Sequence, residues 1–329
     1  MIVDVHTHTL APSVAGMVAG AIGPDSVPYQ RDMAEESKAR DREQGPELAR
    51  KFNDVDRRLA NMAAMGVDRQ VVAPAPGQQH YWAPAPLLAE ISRVQNDHVA
   101  ALVAKRPDRF VGVGTLPLTD PAAAVAEARR AATELGLRAF QIDSRAERRE
   151  LSDRDLDPVW RALETLDVGV IVHPLGFSHG QRLGTFFMVN TVAQPLEELI
   201  AFNHLVFGGV LDRFPALRIA IAHGGGFAPF YVGRFDHAWK VRPEVRRLVS
   251  RPPSDYLGRL WYDTCVFRPD HVETLVRLVG AEKVMLGSDY PFDMGDPDPV
   301  GLLGRSALPE ADKETIRSRS ALAFLGVEA

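Results

Sequence analysis

The first ten residues of the chain, MIVDVHTHTL (1–10), place two histidines one residue apart at the end of a short apolar run. Side chains alternate across a β-strand with a period of two, so His6 and His8 project to the same side if residues 2–8 form a strand. The two histidines are then two residue steps apart along the strand, a distance of about 6–7 Å. Such a pair can clamp one metal ion, or it can be two unrelated polar residues at a strand end. The rest of the chain has to decide between these interpretations.

Seven further segments have the apolar character of buried strands, and amphipathic helical segments separate most of them. These predicted strands lie in DRQVVAPA (68–75), RFVGVGTLPL (109–118), LRAFQID (137–143), VGVIVHP (168–174), LRIAIAHGGG (217–226), RLWYDT (259–264) and EKVMLGSDYP (282–291). Near-continuous apolar strands that alternate with helices are typical of a parallel sheet covered on both faces. Eight such units predict an α/β protein with a closed (β/α)8, TIM-like barrel rather than an open doubly wound sheet.

One long segment interrupts this regular pattern. Residues from about 9 to 53 begin with scattered glycine and proline and continue into the charged stretch RDMAEESKARDREQ (31–44). The segment is too long for an ordinary connection, so we expect an inserted N-terminal arm or lid. Two C-terminal helices are predicted near Pro299–Leu303 and Glu310–Leu325. Since no repeat or linker divides the chain, residues 1–329 are predicted to form one barrel domain that carries this insertion.

The composition is that of a soluble globular protein, with 46% hydrophobic residues, 25% charged residues and a formal net charge of −5. No long block of one charge is present, so we expect no nucleic-acid partner and no anionic membrane surface as partner. No apolar run reaches the roughly 18 residues of a membrane span. The single cysteine, Cys265, excludes an intrachain disulfide, and the first residues lack the basic start of a secretion signal. We therefore expect a cytoplasmic protein.

Polar residues recur where the predicted strands end. His6 and His8 end the first strand, His173 the fifth, His223 the sixth and Asp289 the eighth. Each of them alone could be an ordinary hydrogen-bonded residue, and Asp289 could cap the following turn. In a barrel, however, all these strand ends surround one pocket. Three imidazoles and a carboxylate suit zinc, which binds nitrogen and oxygen at about 2.0–2.2 Å, although iron, manganese and cobalt accept the same ligands.

These residues and four further motifs resemble the amidohydrolase superfamily. The motifs are RFVGVGTLPL (109–118), HGGGFAPFYVGR (223–234), GSDYPF (287–292) and ALAFLG (321–326). They are similar to the decarboxylase branch of that superfamily, which contains 2-amino-3-carboxymuconate-6-semialdehyde decarboxylase and hydroxybenzoate decarboxylases. The resemblance implies one zinc ion and a catalytic acid/base, His223, beside it. The residues that it implies as metal ligands are His6, His8, His173 and Asp289.

The resemblance also implies how the substrate is bound. Arg234, in the motif VGR, is similar to an arginine that holds the substrate carboxylate, often across the interface of a homodimer. A second such arginine lies in the arm of the resembled enzymes, and Arg42 and Arg50 are the candidates here. We therefore expect a homodimer that acts on a small carboxylic acid.

The segment GTFFMVNTVAQP (184–195) departs from the resembled semialdehyde decarboxylases, which carry tryptophans there. This chain has Phe186, Phe187 and Asn190 instead. Phe186, Phe187 and Phe292 are candidates for an apolar wall against a flat substrate, although ordinary core packing explains them as well. His179 and Asn190 are further candidates for substrate contact.

Loss of carbon dioxide from an unsaturated or aromatic acid leaves charge on carbon, and a metal can relieve that obstacle. Either hydroxide adds to the conjugated system first, or the substrate chelates the metal and an acid, Asp289 or His223, protonates the ring carbon; the sequence leaves both routes open. The predicted function is a metal-dependent non-oxidative decarboxylase of an unsaturated, aromatic or heteroaromatic (hydroxy)carboxylic acid. The alternatives are a metal-dependent hydrolase or hydratase that acts on a ring-cleavage product, and a purely structural metal barrel. The extra histidine at the rim disfavours the structural alternative, because four ligands already close a structural zinc site.

Overall fold

Eight parallel strands form one sheet in the computed structural model, which describes residues 1–21, 23, 27–175 and 180–327. Each strand is paired with the strand that follows it in the sheet order β1-β2-β3-β4-β7-β8-β9-β10, and a small antiparallel hairpin, β5-β6, lies outside this sheet. The strands are β1 (Val3–Thr9), β2 (Arg69–Pro74), β3 (Phe110–Thr115), β4 (Ala139–Ile142), β5 (Arg145–Ala146), β6 (Arg149–Glu150), β7 (Gly169–Val172), β8 (Arg218–Ile221), β9 (Trp261–Asp263) and β10 (Val284–Met285).

The sheet closes on itself between β1 and the segment that follows β10. The backbone N–H of Val5 donates to the carbonyl of Leu286 at 2.8 Å, and that of His8 donates to the carbonyl of Tyr290 at 2.8 Å. A parallel bridge between Thr7 and Tyr290 completes this seam. The predicted (β/α)8 barrel is therefore confirmed. The seam joins the strand that carries His8 to the segment that carries Asp289 and Tyr290.

Helices cover the outside of the barrel and build the arm. The described residues between 10 and 53 contain three of them, and the last, α3 (Glu35–Asn53), leads directly into the first helix of the barrel wall, α4 (Val55–Met65). No helix within the described residues is long and apolar enough to cross a membrane. The helices are α1 (Pro12–Val18), α2 (Pro28–Asp32), α3 (Glu35–Asn53), α4 (Val55–Met65), α5 (Ala85–Lys105), α6 (Pro121–Thr133), α7 (Asp157–Thr165), α8 (Met188–Thr191), α9 (Ala193–Phe207), α10 (Val210–Arg213), α11 (Ala228–Val241), α12 (Pro269–Val279), α13 (Pro299–Gly304), α14 (Glu310–Glu314) and α15 (Ser320–Leu325).

The lower half of the barrel interior is filled with apolar side chains. Val3 and Val5 of β1 pack there with residues from the neighbouring strands, and Phe324 of α15 packs against the same cluster. Gly169 at the start of β7 leaves room for this helix, because a Cβ at that position would lie 2.7 Å from the Phe324 ring. The interior is therefore closed at the bottom, and only its upper end is open to chemistry.

A bulge in β1 reverses the direction of its side chains halfway along the strand. Asp4 pairs with Gln70 and Thr7 pairs with Val72. Between these two pairs β1 advances by three residues and β2 by two, so β1 contains one extra residue. The extra residue shifts the alternation by one position. Val5 consequently points into the apolar interior, while His6, the next residue, joins the polar cluster above it.

The buried guanidinium of Arg58, on α4, ties the upper end of β1 to its surroundings. It donates to the carbonyl of His8, to the carbonyl of Phe52 at 3.2 Å and to Oε1 of Gln70 at 3.0 Å. Its carbon Cζ also lies 5.0 Å from the centre of the Tyr290 ring. Arg58 therefore joins the arm, two strands and the closing seam at the rim that carries His8.

We predict that Arg58→Met lowers the free energy of unfolding by about 3 kcal/mol, because several buried carbonyl and amide oxygens lose their donor. Arg57→Met is the matched control, since the neighbouring Arg57 makes an exposed ion pair with Glu47. That control should change the free energy of unfolding by less than about 1 kcal/mol. Denaturant titration measures both values, and equal losses in the two variants would contradict the anchoring role of Arg58.

Candidate active site

Four of the predicted residues meet at the upper end of the barrel. Each of His6, His8, His173 and Asp289 is buried and offers one ligand atom, and these atoms all lie within 4.8 Å of one another. Asp289 is the centre of the group. Its Oδ1 lies 3.0 Å from Nε2 of His8, 3.3 Å from Nε2 of His6 and 4.0 Å from Nε2 of His173.

The chemistry of this cluster fits a bound divalent metal ion. Nε2 of His6 and Nε2 of His173 are buried and have no hydrogen-bond partner among the described residues. Buried polar atoms are almost always satisfied, so two unpartnered nitrogens beside one carboxylate fit a site that binds a cation. Burial lowers the pKa of His8 to about 4 and that of His173 to about 3, which keeps both rings in the neutral form that binds metals.

Asp263, at the end of β9, is hydrogen-bonded to His6 and to the turn that carries His223, and so orients both. Its Oδ2 accepts a hydrogen bond from Nδ1 of His6 at 2.8 Å and another from the backbone N–H of His223 at 3.0 Å. Its Oδ1 accepts from the backbone N–H groups of Gly224 and Cys265, each at 3.0 Å. Burial alone would raise the pKa of Asp263, but the charge of His6 and these hydrogen bonds hold it below the ordinary value. Asp263 therefore fixes the proton of His6 on Nδ1 and leaves Nε2 free for a metal.

His223 follows β8 and faces the cluster from the side. Its Nε2 lies 3.6 Å from Oδ2 of Asp289, and its Nδ1 donates to Oε1 of Glu198 at 2.5 Å. Burial raises the pKa of Glu198 to about 7. Burial would lower the pKa of His223, but the charges of Glu198 and Asp289 raise it well above the ordinary value. The raised pKa values of both groups favour a protonated His223–Glu198 pair, and Nε2 of His223 faces Asp289.

The glycines after His223 allow this close arrangement. Gly226 has a φ of +56°, and a Cβ on it would lie 2.4 Å from Oε2 of Glu198. Gly224, with a φ of +63°, would meet the side chain of Val266 at 2.4 Å. The turn therefore needs glycine both for its backbone conformation and for the approach of Glu198.

Sequence reasoning missed both Asp263 and Glu198. Asp263 ends the predicted strand RLWYDT (259–264), so its position at a strand end was an available signal. Glu198 lies in the middle of α9 and is fully buried. Its distance from His223 along the chain and its ordinary helical context gave no signal.

Two cavities open beside the cluster. The first, of about 260 Å³, is lined by His173, Asp289, Phe187, Asn190 and Phe292, together with residues of the arm. The second, of about 640 Å³, lies on the side of His223, and Asn190 and Asp289 line it as well. The structure therefore places the predicted Phe187, Asn190 and Phe292 on the cavity wall, whereas Phe186 is 90% exposed and lines neither cavity.

Other predicted substrate contacts lie elsewhere. Arg234 is exposed on α11 and lines neither of these two cavities within the described part of the chain. Arg42 and Arg50 of the arm are exposed and line neither cavity. His179 falls in 176–179, outside the described residues.

A (β/α)8 barrel that gathers buried imidazoles and carboxylates around a cavity at its upper rim defines the class of metal-dependent barrel enzymes. Within this class the chain belongs to the amidohydrolase family, whose model matches residues 3–327. The resemblance seen in the sequence motifs is thereby confirmed.

Similar proteins place the chain near the decarboxylases of this family. It is 35% identical to the 2-amino-3-carboxymuconate-6-semialdehyde decarboxylase of Dictyostelium discoideum, over 84% of this chain and 77% of the relative. It is 29% identical to the gamma-resorcylate decarboxylase of a Polaromonas species, over 82% of this chain and 87% of the relative. The solved structure of 5-carboxyvanillate decarboxylase from Sphingomonas paucimobilis is 25% identical and superimposes with a TM-score of 0.88 over 99% of each chain.

We predict that Asp263→Asn weakens metal binding by about 10- to 100-fold, because the amide no longer holds the proton of His6 on Nδ1. Competition with a chromogenic chelator measures the affinity, and circular dichroism checks that the fold is retained. Asp270→Asn is the control, since Asp270 is exposed and paired with Arg268. Unchanged affinity in a folded Asp263→Asn protein would show that Asp263 does not orient a metal ligand.

Proposed function

We propose that the protein is a metal-dependent non-oxidative decarboxylase of an unsaturated, aromatic or heteroaromatic (hydroxy)carboxylic acid. One observation carries this proposal: Nε2 of His223, whose Nδ1 pairs with Glu198, lies 3.6 Å from Oδ2 of Asp289 at the edge of a cluster of metal-binding groups. Decarboxylation without oxidation needs a proton donor, because the carbon that loses carbon dioxide must be protonated. The similar proteins named above, which are decarboxylases, support the same conclusion.

In this proposal one divalent ion binds to the four clustered residues. Zinc is our first choice because imidazole nitrogens and a carboxylate oxygen are among its preferred donors, and manganese is the alternative. When bound, the ion supplies a Lewis acid that polarises the oxygens of the substrate. The ligands are His6, His8, His173 and Asp289.

The residues around the ion have separate tasks. Phe187 and Phe292 hold a flat ring in the first cavity, and Asn190, which lines both cavities, offers its amide to a polar substituent. His223 donates a proton to the carbon as the bond to the carboxylate breaks, so the electron pair of that bond becomes the new C–H bond. Glu198 keeps the ring of His223 charged and oriented, and Asp289 is the alternative proton donor.

Carbon dioxide release from candidate acids tests this function. The metal-loaded protein is incubated with 2-hydroxybenzoates, hydroxylated pyridine carboxylates and carboxymuconate semialdehydes, and released carbon dioxide is measured. We predict that His223→Ala retains its metal and fold while kcat on the accepted acid falls at least about 100-fold. His204→Ala is the matched control, because His204 pairs with Glu150 and lines neither of the two cavities within the described residues.

Other results would contradict the assignment. Loss of metal from His223→Ala would make His223 a ligand, and a near-normal kcat would move the role of acid to another group, first Asp289. Products of hydrolysis or hydration without carbon dioxide would favour the hydrolase or hydratase alternative and exclude the decarboxylase.

We also propose a homodimer in which Arg234 serves the cavity of the partner subunit. The guanidinium is exposed on α11 next to the exposed aromatic residues Phe230 and Tyr231, and Phe230 lines the second cavity. An arginine in this position reaches a substrate carboxylate only if a second copy brings it to the cavity mouth. The exposed rings supply apolar surface for such an interface.

We predict that Arg234→Ala raises KM at least about tenfold, because a charge-assisted hydrogen bond to the carboxylate is lost. The control is Arg242→Ala, since Arg242 follows the same helix and pairs with Glu244. Light scattering at assay concentration reports the oligomeric state. A fully active monomer, or an Arg234→Ala variant with unchanged kcat and KM, would remove Arg234 from the substrate site.

A further inference from the structure

A row of polar side chains on α8 and α9 borders the metal-binding cluster. Asn190, Gln194 and Glu198 lie four residues apart along the chain, so they follow one another on one side of this helical segment. Glu198 pairs with Nδ1 of His223. Nδ2 of Asn190 donates to Oε1 of Gln194 at 3.1 Å, so the row continues across the junction of the two helices. Gln194 therefore lies one helical turn before the residue that pairs with His223.

Gln194 also lies where the two cavities meet. Among the described residues, four line both cavities: Asn190, Gln194, Asp289 and Met294. Asp289 is the centre of the metal-binding cluster, and the side chain of Met294 has no hydrogen-bond donor. An acid held at the cluster consequently meets the pair of Asn190 and Gln194 whichever cavity its ring occupies.

The hydrogen bond from Asn190 decides which atom of Gln194 is offered to a ligand. Because Oε1 accepts from Asn190, Nε2 is the free end of the amide. Gln194 is only 8% exposed, and its Nε2 makes no hydrogen bond to any residue in the described part of the chain. A buried N–H without an acceptor is unfavourable, so this amide fits a site where a ligand supplies the acceptor.

Packing on both sides holds the amide in place. Ala193 is fully buried and packs with Met33 of the arm in one apolar cluster. Pro195 lies against the turn after β8, since a Cβ on Gly226 would lie 2.6 Å from the carbonyl oxygen of Pro195. Because Gln194 lies between these two residues, its backbone is fixed relative to the arm and to the barrel rim.

We propose that Gln194 is a specificity-determining residue: its Nε2 donates a hydrogen bond to a substrate oxygen on the carbon next to the one that carries the carboxylate, and Asn190 positions it. The proposal rests on the proposed function, which places the acid at the metal-binding cluster. A donor on the carboxylate would be lost as carbon dioxide leaves, whereas the neighbouring oxygen stays attached throughout the reaction. Gln194 therefore selects a hydroxyl or carbonyl oxygen at this position over an amine, whose N–H groups would face another donor.

Two acids that differ only in the group beside the carboxylate test the proposal. They are 2-hydroxybenzoate and 2-aminobenzoate, and isothermal titration calorimetry on the zinc-loaded or manganese-loaded protein measures Kd for each. We expect 2-hydroxybenzoate to bind at least about tenfold more tightly, because the amine leaves the buried N–H of Gln194 without an acceptor.

Gln194→Met keeps the length of the side chain and removes the donor. It should reduce the ratio of the two Kd values at least about fivefold, mainly through weaker binding of 2-hydroxybenzoate. Asn190→Leu should reduce the same ratio. The double variant Asn190→Leu/Gln194→Met should lower the ratio no further than Gln194→Met alone, because Asn190 acts through Gln194. A purely structural role of either residue would weaken binding of both acids equally.

The matched control is Asn203→Leu, which removes an amide from the same helix. Nδ2 of Asn203 donates to the carbonyl of Leu199 at 2.8 Å, and Asn203 lines neither cavity. This variant should leave both Kd values unchanged. Circular dichroism checks the fold of every variant, and Gln194→Leu takes the place of Gln194→Met if the latter does not fold.

The remaining outcomes separate this proposal from the proposed function. Equal binding of the two acids to the unaltered protein, binding of neither acid, or an unaltered ratio in a folded Gln194 variant would overturn the role of Gln194. Additive losses in the double variant would remove Asn190 as the positioning residue. Selectivity that depends on Gln194 without release of carbon dioxide would uphold the proposal and exclude the decarboxylase function. Release of carbon dioxide with unselective binding would exclude the role of Gln194 alone.

Discussion

The seam that closes the barrel is the constraint on which the rest of the site depends. Two backbone hydrogen bonds join β1 to the segment after β10, from Val5 to Leu286 and from His8 to Tyr290. Residues at opposite ends of the chain thereby become neighbours, and Nε2 of His8 lies 3.0 Å from Oδ1 of Asp289. The separation of these two ligand atoms is set by backbone pairing, so it does not depend on flexible loops.

Buried side chains reinforce the same seam. Asp4 of β1 accepts hydrogen bonds from the backbone N–H of Ser288 at 3.0 Å and from its hydroxyl at 2.6 Å. Burial raises the pKa of Asp4 to about 6, even though these hydrogen bonds favour its charged form. Arg58 and Asp263 hold the strand from other sides. Unpaired buried charges destabilise a fold, so a cation at the cluster would stabilise the whole upper end of the barrel.

The two ends of the first cavity are built on different kinds of element. The inner end is built on strand ends, where His173 and Asp289 are held by the barrel itself. The outer end is built from the arm and a loop, where Asp41 and Asp293 occupy exposed positions. A rigid inner end suits a reaction common to many substrates, and an outer end on connecting segments suits the choice among them.

The sequence by itself determined the order of strands and helices, because periodicity is a local property of the chain. It also determined the strand-end positions of His173, His223 and Asp289, which a barrel brings to one rim. Only the tertiary structure decided the bulge that brings His6 into the polar cluster above the apolar interior, since a bulge depends on pairing with a neighbouring strand. It alone brought Glu198 to His223, because that contact joins a helix interior to a distant strand end.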